Sequence, residues 1–230
     1  MARSGPPGRI VPAFSAFIFD MDGVIVHSNP HHRLAWEAFN RRYGLATTAD
    51  MHRRMYGRRN DQIVRDFFGD DLPDDEVAAR GFAKEALYRE MIADCVESMI
   101  VPGLRDFLDR HRDTPKALAS NAEPANIDFM LDRACLRPYF RVVVDGHQVG
   151  RPKPYPDIFL HAARLLGVPP AECIVFEDSH SGVAAARAAG MQVIGLRTTE
   201  DNLPGTGLTI DNFTSGDLET WLASFVRAAE

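Results

Sequence analysis

Phe17-Ile18-Phe19-Asp20-Met21-Asp22-Gly23-Val24 is an apolar run that stops on two carboxylates. Ala16 to Phe19 suits a central strand covered on both faces, and an acid cannot extend such a run without an uncompensated loss of hydration. Asp20 therefore belongs at the strand's carboxyl end. In an open parallel sheet that edge is where ligands bind, and Gly23 lets the backbone turn tightly beside whatever the carboxylates hold. A strand followed by a plain Asp-Gly turn would leave the same octapeptide, so the rest of the chain has to decide.

Downstream, Asn29-Pro30 reads as an N-cap with Pro at the first helical position. It predicts a helix to about Tyr43, closed by Gly44, with Leu34, Ala35, Ala38 and Phe39 on one face. Further helices are expected over 50–55, over 61–68 with Asn60 as cap and Gly69 as stop, and over 74–98. The expected division is a disordered tail over 1–13, a core made of 14–28 and 99–230, and an all-helical insert over 29–98. From Pro102-Gly103 onward the pattern alternates. Strands are expected over 117–119, 142–144, 173–176, 193–196 and 208–210, and helices over 124–136, 156–166 and 181–189. Ile158, Phe159, Ala162, Leu165 and Leu166 share one face of the second of these helices. The fold class is thus α/β, a doubly wound parallel (Rossmann-like) sheet with right-handed crossovers and an inserted helical domain.

Three of the strands end on polar residues that no turn requires: Asp20 with Asp22, Ser120 with Asn121, and Glu177 with Asp178. In a parallel sheet all three ends lie on one edge. Lys153, locked between Pro152 and Pro154 in the loop after the 142–144 strand, faces the same edge. Converging carboxylates repel one another unless a hard dication is present, and Mg²⁺ is the expected one. A serine hydroxyl, backbone N–H groups and an ammonium then make a cradle for a phosphoryl group.

Composition narrows the partners. The 230 residues are 45% hydrophobic and 25% charged, with a formal net charge of -6, as expected of a globular protein without a nucleic-acid surface. Cys95, Cys135 and Cys173 are odd in number and widely spaced, which suggests buried thiols in a reducing cytoplasm rather than disulfides or zinc. No segment reads as a signal peptide or a membrane span, so a cytoplasmic protein is expected. Of 26 basic residues only Lys84, Lys116 and Lys153 are lysines, and a lysine kept among so many arginines can mark a site that needs a compact ammonium.

The chain resembles the haloacid dehalogenase superfamily, and within it the subgroup similar to β-phosphoglucomutase and small-molecule phosphatases. The resemblance rests on DxDGV at Asp20 to Val24, the serine motif at Ser120, GRPKP at Gly150 to Pro154, and FEDSxxGVxAAxAAGM at Phe176 to Met191. It implies a helical cap inserted after the first motif, where the helical insert falls. It also implies that Asp20 is a nucleophile that forms an aspartyl-phosphate, and that Asp22 protonates the leaving oxygen and then activates water. By the same resemblance Mg²⁺ is held by Asp20, the backbone carbonyl of Asp22, and Asp178, with Glu177 direct or through water. Ser120 and Lys153 neutralise the transferring oxygens, while Gly23, Asn121, His32, Arg58, Arg59 and Lys84 contact phosphate or substrate. An acid at Asp22 disfavours dehalogenation.

Departures from the family pattern fall where substrate is chosen: His27 in the linker, Ala122 and Pro124 near the sugar, and Asn60 at the usual mutase arginine. His32 and Lys84 match positions that mutases use. The expected function is a Mg²⁺-dependent phosphatase of small phosphorylated metabolites such as sugar phosphates, acting as a monomer. A phosphoglucomutase-type isomerase and a silent metabolite sensor are the alternatives, and two intact carboxylates argue against the sensor.

Overall fold

Alternating apolar residues in the central strand set the layers. The computed structural model describes residues 10–12, 14–55 and 58–228. The central strand β2 (Ala16–Phe19) sends Phe17 and Phe19 into one buried cluster, with Phe107, Phe176 and Phe213, and Ala16 and Ile18 into another, with Ile158, Phe159 and Val175. That two-sided burial is what a four-residue apolar strand flanked by helices on both faces requires.

In chain order, β1 (Ile10–Pro12) and β2 precede the helices α1 (Asn29–Arg42), α2 (Ala49–Met55), α3 (Asn60–Phe68), α4 (Asp74–Ile92), α5 (Val96–Met99) and α6 (Leu104–Arg110). Then follow β3 (Lys116–Ser120), α7 (Pro124–Arg133), β4 (Val142–Asp145), α8 (Asp157–Leu166), β5 (Cys173–Glu177), α9 (His180–Ala188), β6 (Gln192–Leu196), β7 (Leu208–Ile210), α10 (Gly216–Ala223) and β8 (Val226–Ala228). Six strands form one parallel sheet in the order β4-β3-β2-β5-β6-β7. From β2 the chain later adds strands on both sides, so the crevice at its carboxyl end is the topological switch point. Helices α1 to α4 enclose a separate apolar cluster around Trp36, Phe39, Ile63 and Phe67, forming the helical cap insertion.

Several local expectations are corrected. Helix α1 begins at Asn29 with Ser28 as N-cap, because the Asn29 amide is drawn to Asp178. Its buried face carries Ala35, Trp36 and Phe39, while Leu34 is exposed, as is Leu165 on α8. Asn60 lies inside α3, whose N-cap is Arg59. The single helix expected over 74–98 is broken into α4 and α5. Cys173 is buried and Cys95 half-buried, but Cys135 is exposed. The sequence reading had no β1–β8 antiparallel pair and no α10. Of the tail expected over 1–13, Ile10–Pro12 pairs with Val226–Ala228, and the remainder lies outside the described residues.

Candidate active site

Strand register brings the acids together. Phe19 pairs with Phe176, their rings stacked at 4.6 Å, so the next residue on each strand, Asp20 and Glu177, emerge side by side. Phe19 also pairs with Leu118, which puts Ser120 just beyond on the other flank. Carboxylate oxygens of Asp20, Glu177 and Asp178 lie within 4.8 Å of one another, all three residues buried. Lys153 reaches this cluster from its proline-flanked loop, whose Lys153–Pro154 peptide bond is cis. Its ammonium donates to Asp20 Oδ1 at 2.7 Å and to Glu177 Oε1 at 2.5 Å, and lies over the Phe159 ring.

Charge in this cluster is unbalanced. Burial pushes Asp20 up to about 7, Lys153 opposing the rise and Glu177 and Asp22 adding to it. Burial, then Glu177 and Asp20, raise Asp178 well above the carboxylate range. One ammonium among three buried carboxylates leaves negative charge for which a hard, oxygen-liganded dication is the fitting partner, and Mg²⁺ meets that description. Asp20, Glu177 and Asp178 are the group that could hold it. Glu177 already accepts from Lys153 and, through Oε2, from the N–H groups of Asp178 and Ser179 and the Ser179 hydroxyl. It orders the cluster from below. Asp178 Oδ2 accepts from Thr199, and from Asn29 at 3.3 Å and Thr198 at 3.4 Å. Gly23 passes so close that a Cβ there would stand 1.8 Å from Asp178 Oδ2, and its φ is +77°.

Asp22 belongs to a different network. Its Oδ1 accepts from Ser28 Oγ at 2.5 Å and faces His32 Nε2 at 3.5 Å. Lys84 Nζ, which can only donate, lies 2.8 Å from His32 Nδ1. That makes Nδ1 the acceptor and puts the ring proton on Nε2, toward Asp22. Burial raises the Asp22 pKa, but the hydrogen bonds from His32 and Ser28 outweigh it, and the net shift is downward. Lys84 also pairs with Glu85 at 2.7 Å, and the Tyr88 ring stacks on His32 at 3.7 Å. The cap thereby bears on the core's second aspartate through His32.

The cleft over this cluster is lined by Asp20, Asp22, His32, Arg58, Lys84, Ser120, Asn121, Lys153, Glu177 and Asp178, so most of the sequence-chosen residues share one cavity. Gly23 underlies it without lining it. Arg59 is not among the lining residues and pairs with Asp61 at 3.5 Å. Arg58 lines the cleft, but its guanidinium is held by Asp66 at 3.0 Å and by the Arg54 and Gln62 carbonyls. Tyr56 and Gly57 lie outside the described residues. Sequence reasoning missed Glu85, Asn126, Asn29, Thr199 and Ser179. Only Ser179 carried a local signal, as the N-cap of α9 whose hydroxyl accepts from Gly182 N–H at 3.0 Å.

A doubly wound sheet with buried carboxylates at its switch point, an ammonium beside them and a helical cap above defines an enzyme of metal-assisted phosphoryl chemistry. The chain belongs to the haloacid dehalogenase-like hydrolase family, whose model matches residues 14–190. It is 34% identical to the fructose-1-phosphate phosphatase YqaB of Escherichia coli, over 80% of this chain and 97% of that one. It is 28% identical to the β-phosphoglucomutase of Bacillus subtilis, over 79% and 82% of the two chains. Among solved structures, the β-phosphoglucomutase of Clostridium difficile shares the fold with a TM-score of 0.81 at 24% identity, covering 92% of this chain and 97% of that one.

Proposed function

We propose that this protein is a Mg²⁺-dependent phosphatase of small phosphorylated metabolites, sugar phosphates foremost, and that it turns over through an aspartyl-phosphate on Asp20. The observation that carries the reading is the buried Asp20 carboxylate held against Lys153 Nζ in a cluster suited to a hard cation. Bound Mg²⁺, with Asp20 and Asp178 as side-chain ligands, offsets the repulsion between the carboxylates and an incoming phosphate dianion.

In the first step an Asp20 oxygen attacks phosphorus, the bond to the ester oxygen breaks, and Asp22 gives that oxygen a proton. In the second, Asp22 as carboxylate takes a proton from water while the water oxygen attacks phosphorus, releasing Asp20 and phosphate. The downward shift of Asp22 suits its second role directly. For the first role the carboxyl must arrive protonated, and it has Ser28 and His32 to orient it. Lys153, with two of its protons on Asp20 and Glu177, turns its third toward a phosphoryl oxygen, and Ser120 stands on the opposite flank. The cap over 29–98 closes on the core of 14–28 and 99–230 to exclude bulk water. A monomer in the reducing cytoplasm fits this reading.

Phosphate release from a panel of phosphomonoesters, with and without a chelator, tests the proposal; activity indifferent to chelation would remove the metal from it. A mutase is the second reading, favoured by the placement of His32 and Lys84 over Asp22. Supplied with glucose 1,6-bisphosphate, β-glucose 1-phosphate is expected to release phosphate faster than it yields glucose 6-phosphate. Isomer formation about tenfold or more ahead of phosphate release, roughly 1.4 kcal/mol in barrier, would reverse the assignment.

A further inference from the structure

One wall of the cleft is built around a buried carboxylate. Glu85, on α4, is only 4% exposed. Its Oε1 accepts from Lys84 Nζ at 2.7 Å and Asn60 Nδ2 at 2.8 Å, and its Oε2 from Asn126 Nδ2 at 2.6 Å. Asn60 and Glu85 come from the cap and Asn126 from α7 of the core, so this wall is assembled across the cleft mouth. Burial alone would raise Glu85, but the charge of Lys84 and the hydrogen bonds from Lys84 and Asn126 pull it down to about 2, so it stays ionised. An ionised carboxylate offers about four acceptor positions. Three donors leave room for a substrate hydroxyl.

Charge at this end is already matched. Among the described residues, six carboxylates line the cleft, Asp20, Asp22, Glu85, Glu123, Glu177 and Asp178, against three cations, Arg58, Lys84 and Lys153. Lys153 is spent on the phosphoryl end. Lys84 is shared by Glu85 and His32, and Arg58 is held by Asp66 and two backbone carbonyls. A second phosphate at this wall would meet the buried Glu85 carboxylate, and among the described residues each cation lining the cleft is already paired with a carboxylate.

We propose that the Asn60–Glu85–Asn126 wall receives the uncharged, hydroxyl-bearing end of a sugar or polyol monophosphate and rejects substrates with a second phosphate, with Glu85 as the specificity-determining residue. The assignment rests on the phosphatase reading above and narrows its substrate class.

The test compares kcat/KM for two matched pairs: fructose 1-phosphate against fructose 1,6-bisphosphate, and glucose 6-phosphate against glucose 1,6-bisphosphate. p-Nitrophenyl phosphate serves as a reference ester. In the wild-type enzyme at least one monophosphate is expected to exceed its bisphosphate by about 100-fold or more, since like charges brought together in a closed site are strongly disfavoured. Glu85→Gln removes one charge and releases Lys84, and should shrink that ratio by about tenfold or more. A ratio measured within one preparation is independent of the fraction folded, so a poorly folding variant still reports. Bisphosphates turned over as well as monophosphates would overturn the proposal. So would a ratio unchanged in Glu85→Gln, or hydrolysis of p-nitrophenyl phosphate with neither sugar monophosphate accepted. Failure to hydrolyse even p-nitrophenyl phosphate would instead overturn the phosphatase reading, and this inference with it.

Discussion

Replacing Lys153 by arginine keeps the charge and changes only its shape. The ammonium sits 2.7 Å from one carboxylate and 2.5 Å from another, in a residue 7% exposed, between two prolines and over the Phe159 ring. A planar guanidinium is larger and presents its donors as a fork, so it cannot meet two separate carboxylates and a phosphoryl oxygen from the same point. Overpacking of this kind costs about 1–3 kcal/mol. Losing one donor aimed at the transferring oxygens costs about 10²–10³ in kcat. The control is Lys116→Arg. Lys116 is 2% exposed, and its ammonium donates to the His111 and Thr114 carbonyls just past the end of α6, remote from the cleft lining.

Because Lys116 is buried, its replacement by arginine is expected to lower stability with kcat kept. At about 1–3 kcal/mol of overpacking and about 2–4 °C per kcal/mol for a chain of this size, Tm should fall by roughly 2–12 °C. The assay is phosphate release at saturating substrate and Mg²⁺, alongside thermal melts of both variants. If Lys153→Arg kept more than a tenth of the wild-type kcat, or if Lys116→Arg lost kcat as severely, the shape argument would fail.

Asp20→Asn should abolish turnover and leave no phosphoenzyme on rapid quenching, and a tenth of wild-type activity remaining would exclude covalent catalysis there. Asp22→Asn should slow both chemical steps yet keep the rise in Tm on adding Mg²⁺, because its carboxylate lies outside the Asp20–Glu177–Asp178 group. Gly23→Ala would drive a Cβ to 1.8 Å from Asp178 Oδ2 at a φ of +77°. Displacing a ligand in this way should raise the Mg²⁺ concentration for half-activation by about 10–100-fold, and an unshifted Mg²⁺ titration would refute it. Glu85, held at about 2 against an ordinary 4.5, adds stability above its unfolded pKa and loses it as pH falls from about 4.5 toward 2. Urea midpoints should therefore favour the wild type over Glu85→Gln at about pH 6, with the gap clearly narrower at about pH 3; a constant gap would contradict the burial and pairing described.

What could be read in advance follows a physical pattern. Asp20, Ser120 and Glu177 were legible because each ends an apolar run, and a buried strand cannot continue through a charge. Lys153 was legible because two prolines isolate it. Arg58 and Arg59 were chosen from their place in a cap loop, but sequence does not reveal that Asp66 and Asp61 hold their guanidinium groups. Glu85 and Asn126 were illegible for a related reason. On α4, Glu85 is one acid in a helix rich in charge, and only the approach of α7, 41 residues later, makes it a buried acceptor. The same holds for Asn29, which looked like a helix cap until Asp178, 149 residues away, proved to be its partner.

The three lysines have a consequence outside catalysis. Lys84, Lys116 and Lys153 are 1%, 2% and 7% exposed, so the described surface carries its positive charge on arginine alone. Reagents that acylate amines therefore find no exposed lysine on the folded protein. Whatever lysine labelling accrues measures opening: at Lys84 and Lys153 the parting of cap from core, at Lys116 the fraying of the loop after α6. Three side chains thus make a built-in set of reporters that distinguishes domain movement from unfolding, with no label introduced.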